Sequence, residues 1–390
     1  MMKVIFEATP VLPKPSGVGL YVLHLLQALY RLQSQEDLDL GIVYQPSLRN
    51  WLRGNLSVPE SLAHYPEIYT LPLPVRLLNG LARVPANPIL PYLEATFWDA
   101  TGGAPDIYHG TNYAVYPCRK SLRVMNIYDL SFIRYREHAT AVVKSYAHRV
   151  QQSLEWADLV ITISESSKQD IINFLKVPPE SIWVTPLASR YAQASLPLAP
   201  NHVRAAVQYD FSIPYILFVS TLEPRKNVVR LIDAFNQLKA KGDIEHHLVL
   251  IGQKGWHYGP IFDAIDQSPW RHCIHHQDYL PDQLVAYFYT QADVFAYPSL
   301  YEGFGLPVLE AMTLGCPVVT SNTSSLPEVA GDAALLTSPK DAEELADCLE
   351  RVICDRALRQ TLIDRGKARA ATYSWQRTAE ATLAAYRSLL

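Results

Sequence analysis

No apolar run in this chain approaches the ~20 residues that a membrane-spanning helix needs, and Val4-Ile5-Phe6 meets Glu7 too soon to form a signal-peptide core. A cytoplasmic protein is expected. Neither sign of charge dominates: 34 basic and 38 acidic residues are mixed along the chain, giving a formal charge of -4. That balance gives no reason to expect a general nucleic-acid binder and makes any anion site local. Cysteine is scarce too. Cys118, Cys273, Cys316, Cys348 and Cys354 form an odd, scattered set with no C-x-x-C pair, so neither a disulfide framework nor a cysteine zinc site is expected. The pairs His246-His247 and His275-His276 are adjacent and would point to opposite faces of a strand. Asp37-Leu38-Asp39 precedes a strand instead of following one, so no metal is expected at any of these. A G-x-G-x-x-G fingerprint is also missing, because Pro15-Ser16-Gly17-Val18-Gly19 has the wrong spacing, which disfavours a nicotinamide oxidoreductase.

What is present is an alternation of short apolar runs with amphipathic stretches, the pattern of parallel strands joined by crossover helices. With 390 residues, two domains of comparable size are expected. In the first block Lys3 to Ala8 reads as a strand, Thr9 to Gly19 as a loop and Leu20 to Leu32 as a helix. Strands follow at Leu40 to Tyr44, Ile107 to His109, Leu122 to Tyr128, Leu159 to Ile163 and Ile182 to Thr185, with helices at Val142 to Trp156 and from Ser166. The Pro- and aromatic-rich stretch from Pro46 to Pro105 has no readable period. A Pro- and Ala-rich connection, Leu187 to Pro200, precedes the second block. There strands are expected at Tyr215 to Ser220, His247 to Ile251, Val294 to Tyr297 and Pro317 to Ser321, with helices at Val228 to Lys239, from Pro281, at Pro307 to Leu314 and from Asp341.

Doubly wound sheets bind ligands beyond the carboxyl ends of their strands. Glu302-Gly303-Phe304-Gly305-Leu306-Pro307 is such a strand-to-helix loop, where glycines and free helix-start N–H groups suit a phosphate or sugar oxygen. Glu310, expected in the first helical turn, adds a second carboxylate, and two carboxylates suit the hydroxyls of two rings. A loop cap and a helix-dipole partner are the bland readings of the two. Glu223-Pro224-Arg225-Lys226-Asn227 places two cations beside a helix start, against the dipole unless an anion lies between them, which argues for a bound phosphate or diphosphate; two solvated surface cations are the bland reading. His109-Gly110-Thr111-Asn112 and Tyr128-Asp129-Leu130-Ser131 follow strands of the first block and suit an acceptor or a sugar. His109 could equally be a satisfied core histidine and Asp129 a turn cap.

The Glu223–Asn227 segment, Tyr301-Glu302-Gly303-Phe304-Gly305-Leu306-Pro307-Val308-Leu309-Glu310-Ala311-Met312 and Gly315-Cys316-Pro317-Val318-Val319 together resemble glycosyltransferase family 4. Its members are retaining enzymes of the GT-B fold. The resemblance implies two Rossmann-like, doubly wound parallel-sheet α/β domains facing a cleft. Their expected bounds are 1-190, with a returning helix 375-390 that crosses back, a linker 191-212 and a nucleotide-sugar-binding domain 213-374. It further implies that Glu302 contacts the donor sugar and Glu310 the ribose, and that Arg225 and Lys226 hold the diphosphate. Amides from Gly303 through Phe304 and Gly305 to Leu306 would hold sugar or diphosphate oxygens, with the nucleobase near Tyr279 and Leu280. Gly17 and Gly19 resemble a donor-facing glycine loop. Ile127-Tyr128-Asp129-Leu130-Ser131-Phe132 resembles I-H-D-L-x-F, with Tyr128 where a histidine is common; that role then falls to His109, Asp129 or Tyr128.

The implied activity is transfer of glucose or mannose from a UDP- or GDP-sugar, without a metal cofactor, to a hydroxyl of a saccharide or lipid-linked saccharide. Nucleic acid is not an expected partner. Peripheral membrane contact could come through Leu77 to Arg83 or Arg134 to Arg149, whose plainer reading is a solvated helix face. A sugar-nucleotide epimerase and a non-catalytic sugar-nucleotide binder are the alternatives.

Overall fold

The computed structural model describes residues 1–12, 17–45, 50, 52–54, 57–70, 95, 98, 102–135, 141–191, 207, 209–242 and 244–390, with the backbone alone at 141–145. The chain divides into two compact units. The first comprises Met1–Ile163, Ser167–Pro186 and Trp375–Leu390; the second comprises Ser164–Ser166 and Leu187–Ser374.

The first unit is built on seven parallel strands: β1 (Met2–Glu7), β2 (Leu38–Tyr44), β3 (Ile68–Thr70), β4 (Ile107–Gly110), β5 (Leu122–Asn126), β6 (Leu159–Thr162) and β7 (Ile182–Val184). Their order is β3-β2-β1-β4-β5-β6-β7, so the direction of winding reverses between β1 and β4. Helices cover both faces of such a sheet, and its central strands are therefore apolar on both sides. Val4, Ile5 and Phe6 of β1 are all fully buried. The last helix, Trp375–Arg387, belongs to this unit and packs on the helix Gly17–Leu32, where Trp375 lies 6.1 Å from Tyr21.

The second unit holds β8 (Tyr215–Val219), β9 (His247–Ile251), β10 (Ile274–Gln277), β11 (Val294–Tyr297), β12 (Val318–Ser321) and β13 (Ala334–Thr337). These pair in parallel in the order β10-β9-β8-β11-β12-β13. β8 and β11 are the two central strands of the crossover, and Ile216, Leu217, Phe218 and Phe295 fill the core between the helix layers. The doubly wound α/β architecture expected from the alternating pattern is thus present in both units. Three strands were not expected: β3, β10 and β13, each at the edge of its sheet. Among the described residues no helix is long and apolar enough to cross a membrane. The stretch Leu77 to Arg83 lies outside the described residues.

Candidate functional site

The loop after β8 folds into a 3-10 turn, Pro224–Lys226, started by the fixed φ of proline. Asn227 then takes a left-handed conformation with φ 60, which asparagine tolerates better than most residues, before the helix Val228–Lys241. Its side-chain amide donates to the carbonyls of Pro298 (2.9 Å) and Pro339 (2.7 Å), tying this turn to the loops after β11 and β13. That tie sets Arg225 and Lys226 against the segment that follows β11.

There the two cations meet Glu302. Lys226 Nζ donates to Glu302 Oε1 at 2.6 Å, and Arg225 Nη1 donates to Oε2 at 3.0 Å and to the Tyr301 carbonyl at 2.7 Å. Arg225 Nη2 donates to Glu223 at 2.7 Å, and Lys226 also reaches the Tyr297 hydroxyl at 2.8 Å. Glu302 and Lys226 are only 7% and 6% exposed. Burial alone would raise the Glu302 carboxyl, but Arg225 and Lys226 overturn this and hold it at about 2. Burial and Arg225 oppose charge on Lys226, and Glu302 more than compensates, so its ammonium is raised above the ordinary value. The anion expected between the two cations is therefore in the chain itself: Glu302 and Glu223 are ion-paired with them. Sequence spacing could not show this, because Glu302 lies 76 residues beyond Lys226.

The glycines of the loop shape the next helix. Gly305 has φ 110, and a Cβ there would lie 2.8 Å from Leu326 Cδ2. The helix runs Leu306–Thr313, one residue earlier than expected, and the N–H of Leu306 opens it without an intrahelical acceptor. Phe304 is buried, edge-on to Tyr373, and anchors the loop. Glu310 falls in the second turn of this helix, not the first, and is 3% exposed.

Glu310 has a partner that the sequence did not reveal. Arg190 forks onto it, Nε to Oε1 at 2.8 Å and Nη2 to Oε2 at 3.2 Å, while its Nη1 donates to Asp282 at 2.8 Å. Its guanidinium also lies 5.2 Å from the Tyr191 ring centroid. Burial raises the Glu310 carboxyl, with Arg190 pulling the other way. Arg190 sits in the stretch read as an interdomain connection, where a lone arginine carries no motif. Tyr279 and Leu280 follow the edge strand β10, and Tyr279 is 60% exposed, an open ring face in the same unit.

The first-unit candidates are placed differently. Gly17 and Gly19 lie in the first turn of the helix that starts at Gly17 and do not form a loop ahead of it; Gly17 is exposed and Gly19 buried. His109 is wholly buried, with Nδ1 bonded to the Tyr386 hydroxyl and Nε2 to Asn126 Oδ1 at 2.7 Å. Burial pushes it down to about 4, against the Asn126 bond, so it is neutral and both nitrogens are taken. Asp129 Oδ1 accepts from the N–H (3.0 Å) and hydroxyl (2.8 Å) of Ser131, opening the short helix Ser131–Arg134 as a turn cap. The Tyr128 hydroxyl donates to the Thr111 carbonyl. Burial and hydrogen bonds thus give His109 and Tyr128 structural partners, and Asp129, which is half-buried, uses its Oδ1 on Ser131.

Residues 210–369 match the family model for glycosyl transferases group 1. The chain is 32% identical over 398 residues to O-antigen chain mannosyltransferase B of Escherichia coli, covering all of both chains. It is also 32% identical over 233 residues to the MMP alpha-(1->4)-mannosyltransferase of Mycolicibacterium hassiacum, 58% of this chain and 53% of that one. Sucrose-phosphate synthase from Thermosynechococcus elongatus superposes with a TM-score of 0.71 at 19% identity, over 100% of this chain and 99% of that one. HepE of Anabaena, solved with UDP and glucose, gives 0.69 at 18% identity over the whole of both chains.

Proposed function

We propose, from the premise that this chain belongs to the group 1 glycosyltransferases and has a GT-B fold, that it moves a mannosyl residue from a nucleoside-diphosphate sugar to a saccharide hydroxyl, with anomeric configuration retained, in glycan biosynthesis. The observation that carries the site is Glu302 held between Arg225 and Lys226 at the carboxyl edge of the second sheet. The full-length likeness to an O-antigen mannosyltransferase supports mannose over glucose.

In this mechanism the diphosphate takes over Arg225 and Lys226, together with the N–H groups opening the helix at Leu306. As the sugar–phosphate bond breaks, its electron pair goes to the leaving phosphate oxygen, and these fixed donors stabilise the charge that develops there. The acceptor hydroxyl attacks on the face the phosphate leaves, and its proton passes to that same phosphate oxygen. Glu302, relieved of its cations, accepts hydrogen bonds from the sugar hydroxyls. Glu310 accepts from the ribose diol, and the ring of Tyr279 covers the base. Two fixed cations and helix amides supply the countercharge, so no metal is required in this scheme. The protein works in the cytoplasm, meeting lipid-linked acceptors at a membrane surface.

The test is transfer from labelled GDP-mannose and UDP-glucose to a mannose-terminated oligosaccharide, with and without EDTA, by the wild type and by Arg225→Ala, Lys226→Ala and Glu302→Ala. GDP-mannose turnover that survives EDTA and collapses in the three variants is the expected result. Unchanged turnover in all three overturns the site, and donor conversion without acceptor replaces transfer with epimerisation.

A further inference from the structure

The carboxyl edge of the first sheet holds a charge pair that the donor chemistry does not use. Glu7 ends β1, beside the point where the winding reverses, the place where doubly wound sheets take ligands. The Thr9 hydroxyl and the Thr111 main chain lie near its carboxyl and favour the charged form. The Gln45 N–H donates to Thr9 Oγ1 at 3.2 Å, and the Thr111 hydroxyl donates to the Glu7 carbonyl at 2.7 Å. Arg149, from the helix Ala141–Leu154, lies within electrostatic reach of Glu7 and stacks 4.5 Å from the centroid of Tyr146.

Glu7 and Arg149 form no ion pair. The Nε and Nη2 atoms of Arg149 are buried and without a hydrogen-bond partner. Gln45 is 5% exposed, and its Nε2 is in the same condition. Buried polar groups are nearly always bonded, and those that are not call for a partner. The charges choose its type. A phosphate or carboxylate would be repelled by Glu7, and an ammonium by Arg149. A neutral hydroxyl suits both, donating to the carboxylate and accepting from the guanidinium. Burial pushes the Glu7 carboxyl up to about 7, with Thr9 and Arg149 opposing, so near neutrality it takes either form in such a bond.

We propose that Glu7, Thr9 and Arg149 form a subsite for the hydroxyl groups of the saccharide acceptor, with the Gln45 amide as a further donor. This rests on the glycosyltransferase activity proposed above. The test is steady-state transfer by Arg149→Met, Gln45→Leu and Glu7→Gln, varying donor and acceptor separately. Alongside it, ligand-detected NMR follows binding of the mannose-terminated oligosaccharide and of inorganic phosphate to the whole chain.

Loss of one hydrogen bond to a charged group corresponds to about a 10-fold or larger rise in acceptor KM for Arg149→Met, with donor KM unchanged. The oligosaccharide, and not phosphate, gives NMR transfer signals that this variant loses. An unchanged acceptor KM, or donor and acceptor KM rising together, overturns the subsite. If the wild type transfers to no saccharide, the proposed activity fails, and the subsite is then decided by the NMR alone. Oligosaccharide signals lost in Arg149→Met uphold it; equal signals in the two proteins, none in either, or signals from phosphate overturn it.

Discussion

Replacing Arg190 with methionine keeps most of the stem and removes the fork at 2.8 and 3.2 Å on Glu310. Glu310 is 3% exposed, and burial already raises its carboxyl while Arg190 restrains that rise. Without the guanidinium the carboxyl goes higher still. Breaking one side of a buried pair costs about 3–5 kcal/mol as long as the other side stays charged. A carboxyl whose folded pKa lies above its unfolded value penalises the fold above that folded pKa, and protonation relieves the penalty as pH falls. The variant is therefore expected to show its largest stability deficit, about 3 kcal/mol, at the alkaline end of its stable range, shrinking as pH falls. If Glu310 holds the donor's ribose as proposed, donor binding should run the opposite way, because only the carboxylate can accept from both ribose hydroxyls. Loss of charge-assisted hydrogen bonds worth about 1.5–3 kcal/mol raises donor KM by roughly 10–100-fold where the carboxyl is protonated, with recovery as pH rises. Scanning calorimetry and donor KM across this pH range check the two trends. A deficit independent of pH, or a donor KM equal to that of the wild type throughout, refutes the reasoning.

Glu302→Gln should remove an acid-sensitive contribution to the second unit. A carboxyl lowered from 4.5 to about 2 contributes about 3 kcal/mol above pH 4.5, lost as pH falls toward 2, and denaturant unfolding at stepped acidic pH should show this loss in the wild type only. His109→Gln is expected to lower stability through the bonds to Asn126 and Tyr386 while leaving donor and acceptor KM near wild type. The wild type itself should lose about 3 kcal/mol as pH drops from 6.5 to about 4, where a buried neutral histidine must charge, and the variant should not. A large kcat loss in a folded His109→Gln would restore a catalytic role to that ring.

The alternation of apolar runs and loops made the central strands and the Glu302 to Glu310 segment legible, because strands buried on both faces leave a continuous apolar signature. β3, β10 and β13 escaped for the converse reason. An edge strand needs less apolar surface, and β10 reads Ile274-His275-His276-Gln277. Partnerships across long separations escaped as well. Nothing near Glu310 in the sequence points to Arg190, 120 residues earlier, and the clamp of Arg225 and Lys226 on Glu302 exists only once the loops after β8 and β11 lie together. The sequence leaves His109 open between core and ligand, and only the fold shows it buried with both nitrogens bonded.

The neutrality of Arg225, Lys226, Glu223 and Glu302 turns ligand entry into an exchange of partners. Under the proposed donor role, a bare phosphate that takes the two cations would strand a buried carboxylate, which is costly, and the site would discriminate against free anions. A bare sugar offers hydroxyls to a carboxylate whose oxygens already accept from Arg225, Lys226 and Tyr297. Only a molecule that carries both groups, joined at the spacing of a sugar diphosphate, gives every displaced partner a new one. On the proposed activity, selectivity for the intact donor over its fragments then follows from the charge balance of these four side chains.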